Sequence, residues 1–188
     1  RKNEPGALPY SIVAAGQTSW TFGLILETIS PTLNEKIFWD NFQFLGWMLA
    51  STVVVIFARE FSQQRKNIHP FWWVFATVVT IGVVVLVYTD SIHKLIRPTA
   101  RLVEDYGFVA LTYEFRPVMI GLSLYSYAVI LVASGMLVSY MRKLPPAQRP
   151  QVGYMLAGLL FPVLLGLLSF TSFIPGYLRD ISPFTFGL

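Results

Sequence analysis

The chain has 188 residues with no cysteine; 54% are hydrophobic, 13% are charged, and the formal net charge is +4. The absence of cysteine excludes a disulfide framework, thiolate metal sites and a cysteine nucleophile. A mean hydropathy of +0.57, with apolar runs in place of amphipathic periodicity, excludes a soluble domain of this length.

Five apolar stretches, the clearest being Gly46 to Ala58, Phe71 to Tyr88 and Val152 to Ser169, each extend to about 20 residues. That is the length a helix rising about 1.5 Å per residue needs to cross a hydrocarbon core about 30 Å thick. The expected helices run from Ala7 to Ser30, Glu35 to Phe61, Pro70 to Thr89, Pro117 to Met141 and Pro150 to Ser172, and a sixth starts near Pro183. Pro70, Pro117, Pro150 and Pro183 mark four of these starts, where a missing N–H costs nothing. The chain opens on Arg1 and stops a few residues into the sixth apolar run, so further sequence is expected on both sides, and no cleavable signal pattern precedes the first helix. The fold class is an all-α polytopic transmembrane helix bundle, with five complete helices and the start of another, read as one membrane domain over residues 1–188.

Eight of the fourteen Lys and Arg residues fall on one side if the helix ends alternate: Arg1, Lys2, Arg59, Arg65, Lys66, Arg142, Lys143 and Arg149. The positive-inside rule makes this side cytoplasmic, so residues 1–6, 62–69 and 142–149 are expected inside, and 90–116 and 173–182 outside. The net positive charge is thereby a topology signal, and nucleic acid is not an expected partner.

The one long connection, Asp90 to Arg116, interleaves aromatic and charged residues, and a loop of that length between short ones is commonly functional. Its LTYEF segment alternates like a strand, which suggests a hairpin or lid over the outer mouth, with Asp90, His93 and Arg116 as its polar markers. Asp90 and His93 stand at i, i+3, where an imidazole beside a carboxylate can sense pH. The second histidine, His69, belongs to the opposite face, so no multi-histidine zinc site is expected; Glu104, Asp105 and Glu114 read more simply as a solvated loop than as a cation cage. No metal and no cofactor are expected.

The richest polar and aromatic pattern lies where the first two helices meet. Trp20, Gly23 and Glu27 share one helical stripe, and Trp39, Gln43, Gly46 and Trp47 share another. Gly23 and Gly46 would let the two helices approach, leaving an outward-facing cleft lined by indoles, Glu27 and Gln43 that suits a small amphipathic ligand. An alternative reading puts Glu27 in the hydrated interface and the tryptophans in the aromatic belt. Tyr127, on one face with Ser123 and Ile130, either meets a ligand or cross-links helices.

The segments LETISPTLNEKIFWDNFQFLG, TDSIHKL, LYSYAVIL, GLLFPVLLG and DISPFTF resemble the amino-terminal seven-transmembrane sensor region of bacterial histidine kinases, also carried by some diguanylate cyclases. An amide often follows the last glycine of the GLLFPVLLG stretch in that family, whereas Leu167 follows Gly166 here. The resemblance implies one further helix upstream, completion of the sixth helix downstream, a location in the bacterial cytoplasmic membrane, homodimerisation and an output domain in the cytoplasm. The segment itself lacks P-loop, GxGxxG, GxSxG and HExxH motifs, so no catalytic residue and no enzyme activity are expected within it. The expected role is a sensory input domain. Two other readings stay open at this level: a non-catalytic accessory subunit of a larger membrane complex, and a small transporter, which the lack of charge deep in the spans disfavours.

Overall fold

A computed structural model describes residues 4–63, 69–105, 108–114 and 116–169 of the chain. The expected sixth helix from Pro183, the outer segment 173–182 and the cations Arg1, Lys2, Arg65 and Lys66 lie outside the described residues.

Helix α1 (Ala7–Ile29) and helix α2 (Leu33–Gln63) form a tight hairpin. The expected start at Glu35 lies two residues inside α2, because Thr32 and Glu35 make a capping box. The Thr32 hydroxyl accepts from the Glu35 amide at 3.3 Å, and the Glu35 carboxylate accepts from the Thr32 amide at 3.2 Å, so two orphan donors of the first turn are satisfied reciprocally. Helix α3 (Pro70–Tyr88) begins at Pro70, and His69 Nδ1 accepts from the Phe71 amide at 3.2 Å.

The long connection contains a single turn, α4 (Asp90–His93), and an antiparallel hairpin of β1 (Arg101–Asp105) and β2 (Phe108–Thr112). The hairpin takes FVALT rather than LTYEF as its second strand, and Leu111 on it is buried. Helix α5 (Pro117–Met141) follows Pro117, and a 3-10 turn Pro146–Gln148 leads into α6 (Arg149–Ser169).

α2 is the axis of the bundle. It packs against α1, α3 and α5, while α6 packs against α5. Helices α2, α3 and α5 are each long and apolar enough to cross a membrane, but 78% of the most apolar window of α2 is buried, against 22% for α3 and 28% for α5. α1 reaches 23 residues but carries Gln17, Thr18, Ser19 and Thr21 in mid-helix.

The outward surfaces of α3 and α5 are apolar, with Phe71, Val74, Val78, Ile81 and Val85 on α3 and Leu124, Leu131 and Val132 on α5. A water-soluble protein does not present apolar faces of this extent without a partner, and lipid is the solvent that accepts them.

Three apolar clusters hold the helices. At one end, Phe44 and Met48 of α2, Val83 and Val87 of α3 and Ile96 of the loop pack with Val118, Met119 and Leu122 of α5. Toward the other end, α3 leans to the α1 side, where Trp72, Trp73 and Ala76 meet Val53 and Ile56 of α2 and Ile12 of α1. Val55 and Ala58 of α2 meet Ile130, Ala133 and Leu137 of α5 and Val152 and Leu156 of α6 in the third.

Candidate functional site

The α1–α2 seam is built by glycines. A Cβ on Gly46 would lie 2.5 Å from the Gly16 carbonyl oxygen, and one on Gly16 would lie 2.8 Å from the Gly46 oxygen. Only glycine allows backbones that close, as at small-residue contacts between membrane helices. Gly23 faces the Gln43 side chain, with 2.7 Å available to a Cβ. The contact partner of Gly46 is therefore Gly16, one heptad before Gly23, which the sequence reading left unused.

The seam brings together four of the six expected ligand residues. Gln43 Nε2 donates to Glu27 Oε2 at 2.5 Å, and the Trp20 and Trp47 rings lie 6.2 Å apart. Trp20 and Gln43 are buried and the glycine backbones touch, so these groups form a packed seam in place of an open cleft. Trp39 also borders the α1–α2 contact, but its ring joins an aromatic cluster with Phe22, Phe38 and Phe42, at centroid distances of 6.3, 5.0 and 5.8 Å. Tyr127 lies on α5 beside the cluster shared by α2, α5 and α6, away from the seam.

Lys36 falls in the first turn of the helix expected from Glu35, and its side chain is only 1% exposed. Its ammonium donates to the carbonyls of Glu27 at 2.6 Å and Thr28 at 3.2 Å, the last turn of α1. It fills the orphan acceptors of that helix end and places a cation at the negative pole of the helix dipole. At the other end of the hairpin, buried Glu60 accepts from the Gly6 amide at 3.1 Å, an anion at the α1 N-terminus.

The second polar centre is the loop anchor. Asp90 folds the segment Asp90–Arg97 on itself: Oδ1 accepts from the Ile96 amide at 2.8 Å and Oδ2 from the Arg97 amide at 3.0 Å. This turn drives Ile96, fully buried, into the apolar cluster of α2, α3 and α5, and delivers the Arg97 guanidinium to the face of α2. There Arg97 pairs with Asp40 at 3.1 Å and donates to the Asn41 side-chain oxygen. Its guanidinium carbon stands 5.7 Å from the Phe44 ring and 5.8 Å from the Tyr113 ring, within cation–π reach of both aromatics. Tyr113, just past β2, also approaches Asp40 at 3.3 Å.

Both arms of the long loop thus converge on one turn of α2. A guanidinium suits this position because it supplies a planar fork for carboxylate and amide while stacking on rings, which an ammonium does not. Arg97 was not singled out in the sequence; the available signal was the spacing of Asp90 and Arg97 at the two ends of DSIHKLIR.

His93 lies beside this anchor. Its Nδ1 accepts from the Leu95 amide at 3.2 Å and stands 3.5 Å from Asp90 Oδ1, and its Nε2 is 3.1 Å from the Leu86 carbonyl oxygen. Arg116 precedes α5 as an exposed residue in extended conformation. Among the described residues, no three His, Asp or Glu side chains are grouped to hold a metal.

A family model described as the N-terminal 7TM region of histidine kinase matches residues 1–188, the entire chain. No curated protein and no solved structure matches the chain.

Proposed function

Since the chain belongs to the family of N-terminal seven-transmembrane regions of histidine kinases, we propose that it is the membrane-embedded input domain of a bacterial signalling protein. A stimulus at the outer face, or in the membrane itself, biases two packings of the bundle, and the shift passes to an output domain in the cytoplasm. The region is sensory rather than catalytic. In the intact protein the catalytic domains of a histidine kinase would follow Leu188, the basic ends of the helices would face the cytoplasm of the inner membrane, residues 90–116 would be extracytoplasmic, and the working unit would be a homodimer.

The observation that carries this reading is the Arg97 anchor. It ties both arms of the long loop to α2, the helix that packs against α1, α3 and α5. Any ligand or membrane change that displaces the loop acts directly on the axis of the bundle, and a ligand shifts a population only through such differential contact. Glu27, Gln43, Trp20, Trp47, Trp39 and Tyr127 remain the proposed ligand-responsive residues; a small amphipathic molecule would have to part the α1–α2 seam, and the parted seam would be the second packing state.

The test is the cytoplasmic output of the full-length protein in membrane vesicles. Arg97→Gln is expected to change basal output while helix content is retained, and Glu27→Gln or Trp39→Ala to change the dose response to the native stimulus. Wild-type output from Arg97→Gln, with wild-type dose response from the other two, would remove both sites from the account.

A further inference from the structure

α3 meets α5 through Val83, Val87, Val118 and Leu122, and at its other end packs beside α1 and α2 through Trp72 and Trp73. An open groove of about 520 Å³ lies between the last turn of α2 and the Val132–Lys143 half of α5. Val132, Gly135, Met136 and Tyr140 supply its apolar lining, and Ser62, Gln63, Ser139 and Lys143 its polar lining.

We infer that this groove binds one anionic phospholipid, with an acyl chain along Val132, Gly135 and Met136 and the phosphate at Lys143 and Gln63.

Charge supports an anionic headgroup. The connection from α5 to α6, MRKLPPAQRP, holds Arg142, Lys143 and Arg149 and no acid, and basic pockets between membrane helices are where anionic headgroups bind. The Lys143 ammonium and the Gln63 amide offer donors in this lining. The Ser62 hydroxyl, held by a long 3.4 Å bond to the Arg59 carbonyl, can be redirected. Gly135 adds no side chain to the lining, and a Cβ there would meet nothing within 4 Å. None of this depends on the sensory role or on which leaflet the groove faces.

The test uses the full-length protein in neutral detergent, titrated with phosphatidylglycerol, phosphatidylcholine or inorganic phosphate, and reads the thermal unfolding midpoint and the oligomeric state. Phosphatidylglycerol is expected to raise the midpoint saturably where phosphatidylcholine and inorganic phosphate do not. Lys143→Gln is expected to weaken the apparent affinity about five-fold, the share of one cation near a membrane surface. Gly135→Leu, which places a side chain in the open space beside the groove lining, is expected to abolish the response, and Gly82→Leu, at an equally open glycine on α3, to retain it. Equal stabilisation by the two lipids, an unchanged response in Gly135→Leu with Lys143→Gln, or loss of self-association as the sole effect of Gly135→Leu would each overturn the inference, the last by assigning the groove to a second copy of the chain.

Discussion

Gly46→Ala is the sharpest structural perturbation available in this bundle. The added methyl would sit 2.5 Å from the Gly16 carbonyl oxygen and 2.7 Å from the Trp20 nitrogen, both backbone atoms that cannot rotate aside. Ordinary contact begins at 3.4 Å, so α1 and α2 must separate by about 0.9 Å at the crossing. Carried along the seam, that displacement takes the Gln43–Glu27 hydrogen bond, now 2.5 Å, beyond the usual range of about 2.7–3.2 Å and loosens the Trp20–Trp47 contact. Overpacking of this kind costs about 1–3 kcal/mol, opposed by the better helix propensity of alanine, about 1 kcal/mol. Gly82→Ala on α3 carries the propensity term alone, because nothing lies within 4 Å of its Cβ. Unfolding by SDS in mixed micelles, followed by far-UV circular dichroism, therefore reads the steric cost as the difference between the two variants, with Gly46→Ala the less stable by about 1–3 kcal/mol. Equal midpoints would refute the close crossing of α1 and α2.

The Arg97 anchor predicts strong coupling. Arg97→Met leaves Asp40 buried without its cation and is expected to cost about 3–5 kcal/mol, while Arg97→Met with Asp40→Asn should recover part of that loss; additivity in the double-mutant cycle would show that the pair does not interact. Glu60→Gln removes the anion at the α1 N-terminus and should cost about 0.3–1 kcal/mol, seen as faster hydrogen exchange in the first turn of α1 and absent from the turn that Lys36 caps. Lys36→Met should fray the opposite end, exposing the amides of the α1–α2 turn to exchange and leaving the Gly6 end protected.

The helices were legible because apolar length is a one-dimensional property: a run such as Phe71–Tyr88 reads as a span without knowledge of its neighbours, and Pro70 and Pro117 mark their starts directly. The family was legible through short aromatic and polar segments distributed along the chain, and the match over residues 1–188 bears out that reading. Pairings across helices were less accessible. Gly46 was recognised as a contact glycine, but its partner depends on where the hairpin turns; the Thr32–Glu35 capping box moves the start of α2 and aligns Gly46 with Gly16. Lys36 and Arg97 were invisible for a different reason. A cation next to a loop reads as solvated until the fold supplies helix-end carbonyls in one case and Asp40, Asn41 and two rings in the other. Trp39 shared its stripe with Gln43 and Gly46 in the sequence, yet its ring turns to Phe22, Phe38 and Phe42, because a stripe fixes the direction of Cβ and leaves the side-chain rotamer to aromatic packing.

The central claim is that the long loop acts on the bundle axis through Arg97, and position and output can be read in one sample. These 188 residues contain no cysteine, so once any cysteine elsewhere in the full-length protein is replaced, spin labels attach selectively at Asn34→Cys, in the first turn of α2, and Thr99→Cys, in the loop. With the full-length protein in nanodiscs, the account predicts a single narrow distance distribution that broadens in Arg97→Gln, accompanied by a change in cytoplasmic output. Broadening with unchanged output would contradict it, because the loop would then move without reaching the axis.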